Sequence, residues 1–333
     1  MKRVLLTGAT GFIGRHTLPL LLARGYQVHA VTPEPLQERL EGVQYHEADL
    51  LDSGQVADLV ASVQPTHLLH FAWCTAPGDY WTSLENVRWV QASLSLLQAF
   101  SLHRGQRVVM AGTCAEYDWQ YGYCSERITP LSPASLYGIC KHSLSLMVQR
   151  FCAQTELSGA WGRIFFLYGP HEHRDRLVPT VIRSLLQDLP ARCSEGSQIR
   201  DFLHVHDVAS AFVGLLDSEV AGPVNIASGR PVALREVIYK IADKLGRRDL
   251  IQLGVVPMPA GEPPVLIADT TRLADEVGWS PEYDPDSGLD QTIEWWREQT
   301  PDRAVVGAKG QRTTNQTRAA SSAAQQASFG ERQ

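Results

Sequence analysis

The sequence predicts an α/β protein built on a doubly wound parallel sheet, with a smaller mixed α/β lobe toward its C-terminal end. Three observations predict it. Short apolar runs alternate with helical patterns through the first half of the chain. A glycine-rich turn follows the first of those runs. Beyond Gly169-Pro170 the pieces become shorter and richer in proline. Strands separated by helices form right-handed βαβ units, and such units assemble parallel sheets.

The strand candidates are V-L-L-T (Val4–Thr7), Q-V-H-A-V (Gln27–Val31), H-L-L-H-F-A (His67–Ala72), R-V-V-M-A (Arg107–Ala111) and G-R-I-F-F-L (Gly162–Leu167). Trp89–Phe100 and Tyr137–Cys152 carry helical patterns between them. Pro19 falls inside the first predicted helix and is expected to remove a hydrogen bond and bend it. Residues 1–168, with a returning segment at about 200–228, are expected to form the main domain, and 169–199 with 229–300 the lobe. Residues 301–333 contain few large apolar side chains and no period, so a disordered tail is expected there.

Composition narrows the partners. The 333 residues are 44% hydrophobic and 20% charged with a net charge of −6, which gives no electrostatic case for nucleic acid or an anionic membrane. A small molecule is the expected partner. Six cysteines are scattered without a C-x-x-C pair, which argues against a zinc site and a disulfide framework. No metal is expected. The apolar run after Lys2-Arg3 breaks off at the glycine turn, and no run reaches membrane length, so a cytoplasmic location is expected.

The turn T-G-A-T-G-F-I-G places Gly8, Gly11 and Gly14 between a strand and a helix. The first glycine makes the turn, the second lets backbone approach a pyrophosphate, and the third allows close helix–strand packing. The helix N-terminus then faces the phosphates. The end of the second strand discriminates between dinucleotides. An acid there would accept from the NAD ribose, but the position is Thr32, and Glu34 lies beyond a proline. Arg15 follows the third glycine and could meet a 2′-phosphate. NADP(H) is therefore the preferred cofactor, with NAD possible.

S-L-Y-G-I-C-K sets Tyr137 and Lys141 four apart on one helix face. A lysine cation beside a tyrosine stabilises the phenolate and makes the phenol useful in proton transfer near neutrality. Thr113, at the end of the R-V-V-M-A-G-T run, offers a hydroxyl to polarise a substrate oxygen alongside it.

With T-G-A-T-G-F-I-G, A-D-L-L-D, H-F-A, G-T-C-A-E-Y, Y-G-I-C-K, L-Y-G-P and I-R-D-F-L-H-V-H-D-V in place, the chain resembles the nucleotide-sugar enzymes of the extended short-chain dehydrogenase/reductase family. V-N-I-A-S-G and V-G-W-S-P extend the resemblance over about 1–296. It implies a Rossmann-like fold and a catalytic triad of Thr113, Tyr137 and Lys141. The cofactor set it implies is Gly8, Thr10, Gly11, Phe12, Ile13, Gly14, Arg15, Thr32, Asp49, Leu50, Phe71, Ala72, Tyr137, Lys141 and Phe166, with Asp49 and Leu50 at adenine and Lys141 at the nicotinamide ribose. Substrate contacts fall on Trp73, Cys74, Cys114, Arg176, Arg200 and Glu262, with Arg200 at the diphosphate or ribose. A homodimer through the helices flanking the cleft is also implied.

Departures from the family pattern sharpen the chemistry. The 4,6-dehydratases carry Asp-Glu after the threonine, where this chain has Cys114 and Ala115. Enzymes similar to GDP-fucose synthase use a cysteine and a histidine whose slots fall here on Ala115 and Arg176. Asparagines of the pattern are replaced by Phe166 and Trp89, and no arginine precedes Gly261-Glu262-Pro263. Trp73 stands where a small residue is common, lining the sugar pocket or packing in the core. His204, His206 and Asp207 imitate a ligand set but are read as one face of a strand.

The resulting expectation is NADPH-dependent reduction of the C4 keto group of a nucleotide-diphospho-4-keto-6-deoxyhexose. The alternatives are an NAD-retaining 4-epimerase using the same triad, a reductase for a non-sugar carbonyl, and a non-catalytic NADP-sensing module.

Overall fold

A computed structural model describes residues 2–75, 77–78, 80–258 and 261–300. The expected tail at 301–333 lies outside the described residues. The chain runs β1 (Arg3–Thr7), α1 (Phe12–Ala23), β2 (Gln27–Thr32), β3 (Val43–Glu47), α2 (Ser53–Val63), β4 (His67–His70), α3 (Glu85–Leu102), β5 (Arg107–Thr113) and β6 (Tyr123–Cys124). It continues through α4 (Leu136–Thr155), β7 (Ser158–Ile164), β8 (Phe166–Tyr168), α5 (Leu177–Leu186), β9 (Ala191–Arg192), β10 (Ile199–His204), α6 (Val205–Asp217) and β11 (Gly222–Ile226). Last come β12 (Pro231–Ala233), α7 (Leu234–Leu245), β13 (Ile251–Gln252), β14 (Val265–Ala268) and α8 (Pro285–Gln299).

The main sheet is parallel throughout, in the order β11-β7-β5-β4-β1-β2-β3. The order in which strands are added reverses between β1 and β4, and ligands of such sheets bind outside the strand ends at that point. Val4, Leu6, Leu69 and Val109 face α1 and α6; Leu5, Leu68, Val108 and Met110 face α2, α3 and α4. Both faces are therefore covered, which is why these strands read as continuous apolar runs.

The G-R-I-F-F-L run does not form one strand. β7 ends at Ile164, and β8 pairs with β10 in a second sheet ordered β12-β10-β14-β6. Apolarity alone could not reveal the change of sheet, because both halves are at least half-buried. Behind this sheet α5, α7 and α8 close the lobe core on Tyr168, Ile182, Ile241, Leu289 and Trp296. His204 ends β10, whereas His206 and Asp207 lie in the first turn of α6, so they do not share a strand face. The Asp207 carboxylate accepts from the Glu282 and Tyr283 N–H groups at 2.9 and 3.0 Å and ties the late segment to α6. Pro19 stays within a continuous α1 on its exposed side.

The approach of α4 to the end of β5 depends on one glycine. A Cβ on Gly138 would lie 2.5 Å from the Ala115 carbonyl oxygen and 2.9 Å from Pro133. Gly138→Ala is therefore expected to push the start of α4 off the β5 end. Activity should fall at least tenfold while circular dichroism stays native, and a wild-type rate would contradict this account of the contact.

Candidate active site

The glycine turn is built for close approach. Gly8 adopts φ +67°, and a Cβ there would lie 2.8 Å from the Ala72 nitrogen. A Cβ on Gly14 would lie 2.1 Å from the Gly8 carbonyl oxygen, so α1 can begin against the turn only with glycine at that position. Gly11 is the N-cap of α1 and supplies no side-chain cap, which leaves the first helical N–H groups, including those of Phe12 and Ile13, free to meet an anion. This cradle fits a dinucleotide pyrophosphate. Beside it, His70 is fully buried between the Thr7 hydroxyl (2.6 Å) and the Ser93 hydroxyl (2.8 Å), and burial pushes its pKa down to about 3. The Ser93 hydroxyl donates to the Trp89 carbonyl, so His70 carries its proton on Nε2. Thr7 in turn accepts from the Ala72 N–H and fixes Phe71 and Ala72 against Gly8.

At the far edge, Thr32 is buried at the end of β2 and Glu34 is exposed. Asp49 and Leu50 follow β3, with the Asp49 carboxylate accepting from the Leu51 N–H. Arg15 donates to the Thr10 carbonyl at 2.6 Å and meets His171 Nδ1 at 2.8 Å. It is thereby turned toward the loop after β8.

Thr113, Tyr137 and Lys141 converge at the end of β5, all buried. The Tyr137 phenol lies beside Thr113, and burial, the dominant effect, raises its pKa above the ordinary phenol value. Lys141 donates to the Ala111 carbonyl at 2.9 Å, and its ammonium sits 3.7 Å from the centroid of the Trp73 ring. Burial pushes its pKa down to about 7, opposed by the negative charge of Glu116. The protein alone therefore does not lower the phenol's pKa as the Tyr–Lys spacing suggests: the lysine is engaged by a carbonyl and an indole.

Glu116 was not singled out in the sequence, although T-C-A-E has the capping-box spacing. Its buried carboxylate accepts from the Thr113 N–H (2.9 Å), the Trp161 indole (2.8 Å) and Arg163 Nε (2.8 Å). Arg163 continues to the Tyr117 hydroxyl, which donates to Asn225 Oδ1 at 2.7 Å. Asn225 donates to the Cys124 and Asp269 carbonyls of the second sheet region. Gly112 makes room for this network, since a Cβ there would lie 2.0 Å from Trp161 Nε1 and 2.6 Å from Glu116 Oε1.

The remaining sequence candidates spread along the cleft. Buried Cys114 keeps its thiol protonated, because burial raises its pKa. Arg200 is buried, ion-pairs with Glu262 and lies over the Phe166 ring at 5.3 Å. Arg176 caps α5 and lies 5.5 Å from the Tyr80 ring centroid. Cys74 is exposed. Sequence reasoning also missed Glu172, a buried carboxyl near Arg176 whose pKa burial pushes up to about 8, and the aromatic residues Tyr80, Trp81 and Trp119, which no periodicity marks.

Two stability measurements follow. Glu116→Gln leaves the Arg163 charge uncompensated and should cost about 3 kcal/mol, read as a lowered Tm; Glu116→Gln with Arg163→Met should recover most of it. Equal melting of the single and double variants would contradict the pairing. Unfolded Lys141 holds its proton up to about pH 10.5, whereas the folded chain releases it near 7. Burial of the cation thus costs stability fully below pH 7, and the cost fades between pH 7 and 10.5. Lys141→Met should raise Tm most below pH 7, with the gain shrinking as pH approaches 10.

Comparison with known proteins agrees with this geometry. The chain is 27% identical over 312 residues to a UDP-glucose 4-epimerase of Corynebacterium glutamicum, covering 84% of this chain and 91% of that protein. It is 26% identical over 310 residues to a dTDP-glucose 4,6-dehydratase of Mycolicibacterium smegmatis, covering 89% and 93%. Among solved structures, MoeE5 in complex with UDP-glucuronic acid and NAD superimposes with a TM-score of 0.78 at 29% identity, covering 90% of this chain and all of that one. The Thermus thermophilus UDP-glucose 4-epimerase complex with NAD gives 0.78 at 25% identity, with coverage of 90% and 100%. Residues 4–227, which hold the glycine turn, Thr113, Tyr137 and Lys141, match the family model itself, and the chain belongs to the NAD dependent epimerase/dehydratase family.

Proposed function

We propose that this enzyme is a ketoreductase that uses NADPH to reduce C4 of a nucleotide-diphospho-4-keto-6-deoxyhexose. The observation that carries the reading is the absence of an acid or base at Cys114 and Ala115, both buried beside Thr113 and Tyr137. Elimination of water needs a proton donor and acceptor in those two positions. A thiol held protonated and a methyl group provide neither.

The dinucleotide, when bound, supplies the hydride. Gly8, Gly11 and Gly14 with the N–H groups of Phe12 and Ile13 would hold its pyrophosphate, Asp49 and Leu50 its adenine, and Lys141 its nicotinamide ribose. Thr113 orients the substrate carbonyl oxygen, and Tyr137 delivers a proton to it as negative charge develops. Arg200 and Arg176 would meet the diphosphate, with Glu262 giving way as the anion arrives. Thr32, without a carboxylate, supports NADPH over NADH. Val87 on α3 and Ile139, Leu146 and Met147 on α4 are exposed and apolar, which supports a homodimer through those helices.

The relatives favour one other reading, an NAD-retaining 4-epimerase acting through the same three residues. Incubation with dTDP- and GDP-4-keto-6-deoxyhexoses and each coenzyme separates the two. The expected outcome is stoichiometric oxidation of NADPH, lowered about a hundred- to ten-thousandfold in Tyr137→Phe. If neither coenzyme is consumed and denaturation releases bound NAD, the epimerase is the correct reading.

A further inference from the structure

The Tyr137 ring is walled by carbon. Tyr80 meets it edge-on with centroids 5.0 Å apart, Trp81 at 5.7 Å and 90°, and Trp73 at 6.5 Å. Trp119, from the turn after Thr113, meets Trp81 at 6.1 Å, and the Ala115 side chain packs into the same cluster. Three of these residues come from the segment between β4 and α3, which is fastened to α4 by the Tyr137 N–H donating to the Trp81 carbonyl at 3.1 Å.

Two of the indoles in this wall are already engaged. The Trp73 indole donates to Asn86 Oδ1 at 2.8 Å, and the Trp119 indole donates to the Cys114 carbonyl at 2.9 Å. Arg176 lies over the Tyr80 ring, 5.5 Å from its centroid. Asn86, buried, also donates to the Tyr80 and Ser83 carbonyls and so holds the segment in place. What these residues set around Tyr137 is therefore chiefly ring and methyl surface.

A substrate hydroxyl set against that surface gives up water and gains no partner, but a methyl group loses nothing and gains contact with the rings. We propose that Tyr80, Trp81 and Trp119 form a specificity wall that accepts the C6 methyl group of a 6-deoxyhexose and rejects a C6 hydroxyl. The inference rests on the proposed reading that a nucleotide-linked hexose reacts at Tyr137. Trp81 is its central element, because it contacts Tyr80, Trp119 and Tyr137 together. A pocket of this kind discriminates by exclusion, and a hydrophobic site rejects an analogue that adds one hydroxyl by about a hundredfold.

The test compares matched pairs that differ at C6. Reduction of dTDP- and GDP-4-keto-6-deoxyglucose is measured against the corresponding 4-ketoglucoses. Binding of the stable 6-deoxyglucose and glucose nucleotides is measured by quenching of tryptophan fluorescence. Wild type is expected to favour the 6-deoxy member about a hundredfold in kcat/KM, with the same sense in binding. Trp81→Gln should narrow the preference to less than about tenfold, and Trp81→Phe should keep it. Equal handling of both members by wild type overturns the inference, whether or not the variants fold; so does a preference that Trp81→Gln leaves unchanged. Binding that favours the 6-deoxy member without reduction of either ketone sinks the reductase reading and leaves the wall standing.

Discussion

The buried ion pair between Glu116 and Arg163 is the interaction on which the site depends. It takes two charges out of water, a cost recovered only where geometry is good and the remaining hydrogen-bonding capacity is used. Here both conditions are met: Glu116 accepts from the Thr113 backbone, Trp161 and Arg163, and Arg163 passes on to Tyr117. The carboxylate grips the backbone of Thr113, whose hydroxyl is the one proposed to meet the substrate. The end of β5 is therefore held by a charge and not by loop packing.

The same network joins the two sheets. Tyr117 donates to Asn225 at the end of β11, and Asn225 donates to carbonyls beside β6 and β14. Thr113 on the main sheet and the strands of the lobe thus share one hydrogen-bonded framework. A neutral, apolar version of this junction could be as stable, but it would lack the directionality that fixes one strand end relative to another. Gly112 shows what the arrangement demands in return, since any side chain there would occupy the space of Trp161 and the Glu116 carboxylate.

Lys141 poses the opposite problem. It is a cation in a dry place with no carboxylate in contact among the described residues, and the protein surrounds it with weaker partners: the Ala111 carbonyl, the face of Trp73 and the distant charge of Glu116. An aromatic face attracts a cation through its quadrupole and substitutes in part for water. The indole at Trp73 is thus part of the surroundings that hold Lys141. Its own N–H is anchored by Asn86, so its position is set before any ligand arrives.

Much of this was legible in the chain itself. The buried strands, the helix carrying Tyr137 and Lys141, the glycine turn and the threonine at a strand end follow from apolar periodicity, i,i+4 spacing and the steric freedom of glycine. All of these are local properties. Even Glu116 had a local signal, the T-x-x-E spacing from Thr113. Tertiary structure decided the rest. It paired Glu116 with Arg163, split G-R-I-F-F-L between two sheets, turned Arg15 toward His171, and brought Tyr80 and Trp81 onto Tyr137 from another segment. It also set the charge balance of Lys141 and Tyr137. Burial and long-range pairing come from packing between segments dozens of residues apart, and no local pattern encodes which of them will meet.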